Sequence, residues 1–353
     1  MPNRKKLSKK QKENIEELIK KDMKISKISR EKDFYKIKYK NSLAEIDKLR
    51  KILDLRKYLT IDKKSNNNKI VKKYKSSTSE STAVVVASDW HVEETVSAET
   101  VNNLNEYNLK IAKKRITKFF QKIIIQVELY RNITKIDNLI LALLGDFITG
   151  YIHEENLENN KLTPLEAVRF VQKNLIAGIE YLLKHGNFKN IIIPCSYGNH
   201  GRTTQKYKIS KAAENSFEQH MYLSLAEYFK KNKKIKFIIN SSYHTYIDVY
   251  DFKLRFHHGD HIKYRGGIGG PTIPINKAIA QWNKSQPVYL DVFGHLHTMI
   301  DGGQFIVNGS LIGYNPFALS IKASYEEPKQ VFFLIEKSRG KTSVSPIFLS
   351  DSK

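Results

Sequence analysis

Five short apolar runs that each end in Asp, His or Asn constrain this chain more than any other feature. Ala83-Val84-Val85-Val86-Ala87 leads into Ser88-Asp89-Trp90-His91. The run Leu139–Leu144 leads into Gly145-Asp146, and Ile191–Cys195 leads into Tyr197-Gly198-Asn199-His200. Leu254–His257 reaches His258-Gly259-Asp260-His261, and Val288–Phe293 reaches Gly294-His295-Leu296-His297. Continuous apolar runs of this length read as strands buried on both faces, which requires layers above and below them. Further runs at Lys236–Ile239, Phe305–Val307 and Val331–Ile335 extend the series.

Helical stretches lie between the early strands. The clearest starts at Thr163-Pro164-Leu165-Glu166, a capping box with proline at the first helical position, and its apolar face runs through Val168, Leu175, Ile179 and Leu182. Strands alternating with helices, followed by a strand-rich second half, predict an α/β or α+β layered domain over 83–350.

The first eighty residues have a different texture. Residues 1–80 hold 26 Lys and Arg against 11 Asp and Glu, a net of +15, which leaves +9 of the total +24 for the rest. Residues 8–60 read as helical, with Ile15, Leu18 and Ile19 at helical spacing behind a Ser8-Lys9-Lys10-Gln11 cap. Leu43, Ile46, Leu49, Ile52 and Leu53 form a second stripe. A short coiled coil or helix-turn-helix over 1–61 is expected, and the stripe could support a homodimer. Residues 62–82, rich in Ser, Asn and Lys, read as a linker. Concentrated positive charge without an apolar amphipathic face points to nucleic acid as partner, with a solubilising Lys-rich tail as the alternative. No apolar run reaches the roughly 20 residues that cross a bilayer, so no membrane partner is expected. The basic N-terminus lacks the apolar stretch of a secretory signal, and the single cysteine, Cys195, can form neither an internal disulfide nor a thiolate zinc site. A cytoplasmic protein is expected.

Turns at the C-terminal ends of buried strands are where ligands collect. Asp and Asn supply oxygen donors and His supplies nitrogen, a mixed set that suits Mn, Fe, Zn or Ni better than Ca or Cu(I). Asp89, His91, Asp146, Asn199, His258, His295 and His297 are too many for one ion and fit two, the usual device for hydrolysing phosphate esters.

In their order these blocks, D-x-H, G-D, G-N-H, a His before Gly, and G-H-x-H, resemble the calcineurin-like metallophosphoesterase superfamily over residues 83 to about 310. The resemblance implies a four-layer α/β/β/α sandwich. It implies that Asp89, His91 and His297 hold one divalent ion, that Asp146 bridges two, and that Asn199, His258 and His295 hold the second. Manganese is the first expectation, with iron, zinc, nickel or magnesium as alternatives. A hydroxide shared by the ions would be the nucleophile, and His200, no ligand itself, would act near the leaving-group oxygen. Two departures stand out. Many members follow G-N-H with a carboxylate that orients the histidine, whereas Gly201-Arg202 stand here, and many carry a second Asp soon after G-D, whereas Phe147-Ile148-Thr149 stand here. Arg202 is a candidate grip for a substrate phosphate, with a solvated loop arginine as the alternative. The G-N-H-G-R variant is similar to a phage-type subgroup, which would place the protein in a host cytoplasm. The basic extension favours a phosphodiesterase acting on nucleic acid, similar to the DNA-repair nuclease branch. A phosphomonoesterase or small-nucleotide phosphodiesterase, and a nucleic-acid-binding protein on an inactive fold, are the alternatives. The glycine-rich stretch Tyr264–Pro274 reads as a rim loop beside the site.

Overall fold

The computed structural model describes residues 79–152, 158–264, 266 and 269–350, together with positions between 21 and 44. The chain divides into two compact units, Met1–Tyr74 and Lys75–Lys353. In the first, the described positions are helical and exposed. The apolar positions expected at 8–20 and 45–61, and most of the expected linker, lie outside the described residues. No helix among the described residues is long and apolar enough to cross a membrane.

The second unit is built on two sheets. The larger contains β1 (Glu80–Ala87), β2 (Lys135–Leu143), β3 (Asn190–Cys195), β4 (Ile235–Ile239), β10 (Lys329–Glu336) and β11 (Gly340–Phe348), in the order β11-β10-β1-β2-β3-β4. Strands β1 to β4 are parallel, and β10 and β11 continue the sheet antiparallel. The smaller sheet has the order β5-β6-β7-β9-β8, from β5 (Thr245–Val249), β6 (Phe252–Phe256), β7 (Leu290–Phe293), β8 (Ile300–Asp301) and β9 (Phe305–Val307). Strand β1 takes in Glu80–Thr82, which composition alone placed in the linker.

The apolar runs are continuous because successive side chains enter different cores. Ala83, Val85 and Ala87 of β1, with Leu139, Leu141 and Leu143 of β2, face the helices α1 (Leu109–Arg131), α2 (Pro164–His185) and α3 (Phe217–Phe229). Their neighbours Val84, Val86, Ile140, Ala142 and Leu144 meet Leu254, Phe256, Leu290, Val292 and Ile306 of the smaller sheet. That sheet turns Phe293, Phe305 and Val307 outward onto Ile275 and Ile279 of α4 (Thr272–Trp282). The result is a four-layer α/β/β/α sandwich. The Thr163 capping box forms as expected and opens α2, whose Gly178 lies where any Cβ would run into the Phe120 ring of α1 at 2.1 Å. The expected rim loop is shorter than composition suggests, because Thr272, Ile273 and Pro274 already belong to the first turn of α4.

Candidate metal centre

Five strands deliver their C-terminal ends to one place. Hydrogen bonds between the connecting turns lock them together: Asp89 N to Gly145 O (3.0 Å), Trp90 N to Asp146 O (2.8 Å) and Gly294 N to His258 O (2.8 Å). Five of the seven expected ligands are bent sharply at their own backbone. Asp89, His91, Asp146, His295 and His297 have φ of 56°, 47°, 51°, 67° and 53°. A non-glycine residue held there costs on the order of 1 kcal/mol, and such strain collects where geometry serves a site rather than stability. Gly198 makes the closest approach, since a Cβ there would meet the Asp146 Oδ1 at 2.1 Å.

The turns gather the ligands into two groups. Asp89, His91 and His297 present donor atoms within 4.8 Å of one another, and so do Asp146, His258 and His295. In the first group His91 Nε2 faces His297 Nε2 at 3.2 Å, and His297 Nε2 lies 3.4 Å from Asp89 Oδ1. In the second, His258 Nε2 is 2.8 Å from Asp146 Oδ2 and 3.1 Å from Asn199 Oδ1, which adds the amide as a fourth donor. Outer partners settle which nitrogens point inward. His258 Nδ1 donates to Leu144 O at 2.7 Å and His91 Nδ1 to Thr149 Oγ1 at 3.0 Å, so Nε2 of each ring turns to the centre. Ser88 Oγ and the His295 backbone N–H donate to the Asp89 carboxylate, and Asn308 Nδ2 supports Ser88 at 2.8 Å. Buried carboxylates, inward imidazole nitrogens and an amide oxygen, with no thiolate, are a donor set that fits two borderline divalent cations.

The charges of the donor set act strongly on one another. Burial pulls His258 down, but the adjacent Asp146 outweighs it and raises its pKa well above the usual imidazole value. His297 is likewise raised by Asp89 against its burial. Burial, then repulsion from His200 and His297, holds His91 well below, and burial with His258 pushes His295 down to about 4. Burial would raise the Asp146 carboxyl, yet His258 and His200 keep it well below the usual range. A cation entering here competes with protons for His258 and His297. Divalent-ion affinity is therefore expected to rise with pH, with protons released on binding. Titration calorimetry in buffers of different ionisation enthalpy checks this; heats independent of buffer and affinity independent of pH would contradict it.

The remaining sequence candidates fall in two places. His200 lies beside the first group, its ring 4.9 Å from that of His91, with its backbone N–H donating to Asp146 Oδ1 at 2.8 Å. Arg202 does not extend toward the centre. Its guanidinium donates to the backbone carbonyls of Asn199 (2.7 Å), Thr204 (3.0 Å) and Gln205 (3.1 Å) and lies over the Tyr207 ring, so it braces the turn that carries Asn199 and His200. Three acidic residues that sequence reasoning passed over hold the turns instead. Glu218, in the first turn of α3, accepts from Phe147 N (2.6 Å) and Gly198 N (2.8 Å), joining the Asp146 turn to the Asn199 turn; burial, then the nearby Asp146, raises its pKa to about 7. Glu93 and Glu94 lie two and three residues beyond His91, and Glu93 accepts from Thr149 N and Gly150 N, both at 2.8 Å. The glutamate pair stood next to a recognised block, whereas nothing local marks Glu218. Cys195 is buried, as its apolar strand implies.

Fold and centre together define a four-layer α/β/β/α protein with paired Asp/His groups suited to divalent cations. No protein-family model matches the sequence, and no curated protein does. Among solved structures, the chain is similar to a conserved protein from Streptococcus pneumoniae described as a predicted phosphoesterase, with 12% identity, 72% of this chain and 83% of that chain covered, and a TM-score of 0.29. It is similar to a single-residue variant of Vps29 from Entamoeba histolytica (13% identity, 75% and 97% covered, TM-score 0.29) and to a hypothetical protein from Pyrococcus horikoshii (14%, 77% and 89%, TM-score 0.37). These overlaps are loose, and the functional reading rests on the side chains.

Proposed function

We propose that the protein is a metal-dependent phosphodiesterase acting on nucleic acid. The observation that supports this best is the meeting of two Asp/His groups at adjoining strand ends, with a half-buried histidine, His200, at their edge. Two bound divalent cations would supply an activated water at neutral pH and offset the charge that builds on the phosphoryl oxygens. The chain's own residues do the rest. His200 Nδ1 donates to Thr149 O at 3.1 Å, which leaves Nε2 to carry the transferable proton. As water adds to phosphorus and the ester P–O bond breaks, that proton goes to the departing alkoxide. The net +15 carried by residues 1–80 supports a polyanionic substrate, held through its phosphates in a salt-dependent way.

The test is Mn²⁺-dependent cleavage of end-labelled single-stranded and duplex DNA, with a small diester and a small monoester alongside. Wild-type protein is expected to cleave DNA only with metal, binding it more weakly as salt rises, and His200→Ala to slow cleavage by about 10²-fold. Hydrolysis of the small esters alone would overturn the nucleic-acid reading. Metal binding without hydrolysis of any ester would overturn the enzyme.

A further inference from the structure

We infer that Glu93 and Thr149 form the positioning element for His200 and His91, in place of the carboxylate missing after Gly198-Asn199-His200. The inference rests on the phosphodiesterase reading above. Thr149 lies three residues beyond Asp146 and touches both imidazoles. Its carbonyl accepts from His200 Nδ1 at 3.1 Å, and its hydroxyl accepts from His91 Nδ1 at 3.0 Å. The two rings stand perpendicular, their centroids 4.9 Å apart, so one residue sets the angle between a metal ligand and the proton donor. The hydroxyl passes its own hydrogen toward Glu94 Oε2 (3.4 Å), and Glu94 is held by Asn315 Nδ2 at 2.9 Å. This gives an imidazole–hydroxyl–carboxylate chain behind His91, of the kind that orients a ligand and fixes its tautomer.

A backbone carbonyl can position a histidine only if the backbone itself is held. Glu93 does this. One of its oxygens, Oε1, accepts from both Thr149 N and Gly150 N at 2.8 Å, while the residue is almost wholly buried. Its other oxygen, Oε2, has no hydrogen-bond partner among the described residues. Asn160 Nδ2 fixes the far side through Gly150 O at 2.7 Å. Gly150 (φ 67°) is pressed so close that a Cβ would meet the His200 carbonyl oxygen at 2.6 Å. The arrangement locks one turn against two imidazoles.

Leaving-group dependence separates positioning from plain support. An aryl diester departs with little help, whereas an alkyl diester such as a nucleotide linkage needs the proton from His200. With metal saturating, His200→Ala is expected to lose about 10²-fold on the alkyl ester and less than about 10-fold on the aryl ester. Glu93→Ala should repeat that pattern, losing about 10-fold or more in kcat on the alkyl ester with KM nearly unchanged. Glu93→Gln, whose amide oxygen can accept the same two N–H groups, should restore it. Thr149→Val keeps the carbonyl and removes the hydroxyl, so it should weaken divalent-ion affinity about 10-fold or more while leaving the ester preference as in wild type. Thermal unfolding of each variant shows whether it is folded, and Thr149→Val carries the test should Glu93→Ala unfold. Equal losses on both esters in Glu93→Ala, or unchanged ion affinity in Thr149→Val, would overturn the inference. Absence of any leaving-group effect in His200→Ala itself would overturn the proposed proton transfer first, and the Glu93 role with it.

Discussion

Asp146→Asn is expected to lower phosphoester hydrolysis by about 10³-fold and to reduce the number of divalent ions bound per chain. At roughly 1.4 kcal/mol per decade this corresponds to about 4 kcal/mol, the scale of losing a buried charge that organises a reacting phosphoryl group. Asp146 belongs to the second group, and its charge also acts on His91 and His297 of the first. Its Oδ2 lies 2.8 Å from His258 Nε2, its Oδ1 accepts the His200 backbone N–H at 2.8 Å, and its charge acts on His91, His295 and His297. Asparagine is the right replacement because it keeps the shape and tolerates the left-handed backbone at φ 51°. The variant should fold as wild type, and His258, robbed of the carboxylate that raises its pKa, should titrate at lower pH. Elemental analysis of bound metal, together with rates on a small diester, checks the prediction. Retention of full ion stoichiometry with a rate within about 10-fold of wild type would show that Asp146 does not join the two groups.

Arg255→Met is expected to destabilise the second unit by about 3–5 kcal/mol without touching a ligand. Arg255 on β6 and Asp291 on β7 are register partners in the smaller sheet, and both side chains are fully buried. The guanidinium makes two bonds to the carboxylate, at 2.6 and 2.9 Å, and further bonds to Asn283 Oδ1 and Gln286 O, with Trp282 beneath it. Removing one partner leaves Asp291 charged in the dark beside His257, and that uncompensated charge is what costs the stability. The double variant Arg255→Met with Asp291→Leu should recover most of the loss, because it leaves no buried charge behind. Urea unfolding of the single and double variants decides the matter; equal destabilisation by both would mean that shape, not charge, matters at this pair. Strands β6 and β7 lead toward His258 and His295, so this pair ties together the two strands that carry ligands on the smaller sheet.

Arg202 shows what reading along the chain leaves open. Its place two residues beyond His200 suggested a phosphate grip, yet three carbonyls within three residues of it claim the guanidinium. A side chain's reach says nothing about which acceptor wins, and nearby backbone oxygens cost little chain entropy to engage. Strands β5 and β11 escaped notice for another reason. With polar residues such as Thr245, Asp248, Lys341 and Ser343 interrupting them, they lack the continuous apolar signal that marked β1 and β2.

What the residues determined by themselves is local. A strand buried on both faces is mostly apolar, and a sharp turn at its end must break that run, so β1, β2 and β3 and the ligands behind them are written in adjacent letters, whereas β6 and β7 each interrupt the run with one buried charge, Arg255 and Asp291. The capping box of α2 is legible for the same reason. Tertiary structure alone decided how these pieces meet. The alternation of Val84 and Val85 into different cores, the pairing of Arg255 with Asp291, and the hold of Glu218 on Phe147, 71 residues away, join positions with no shared local pattern. So does the hold of Glu93 on Thr149, 56 residues away. Donor and acceptor are matched only once strands, turns and helices have packed, because burial makes an unpaired polar group costly and thereby selects its partner.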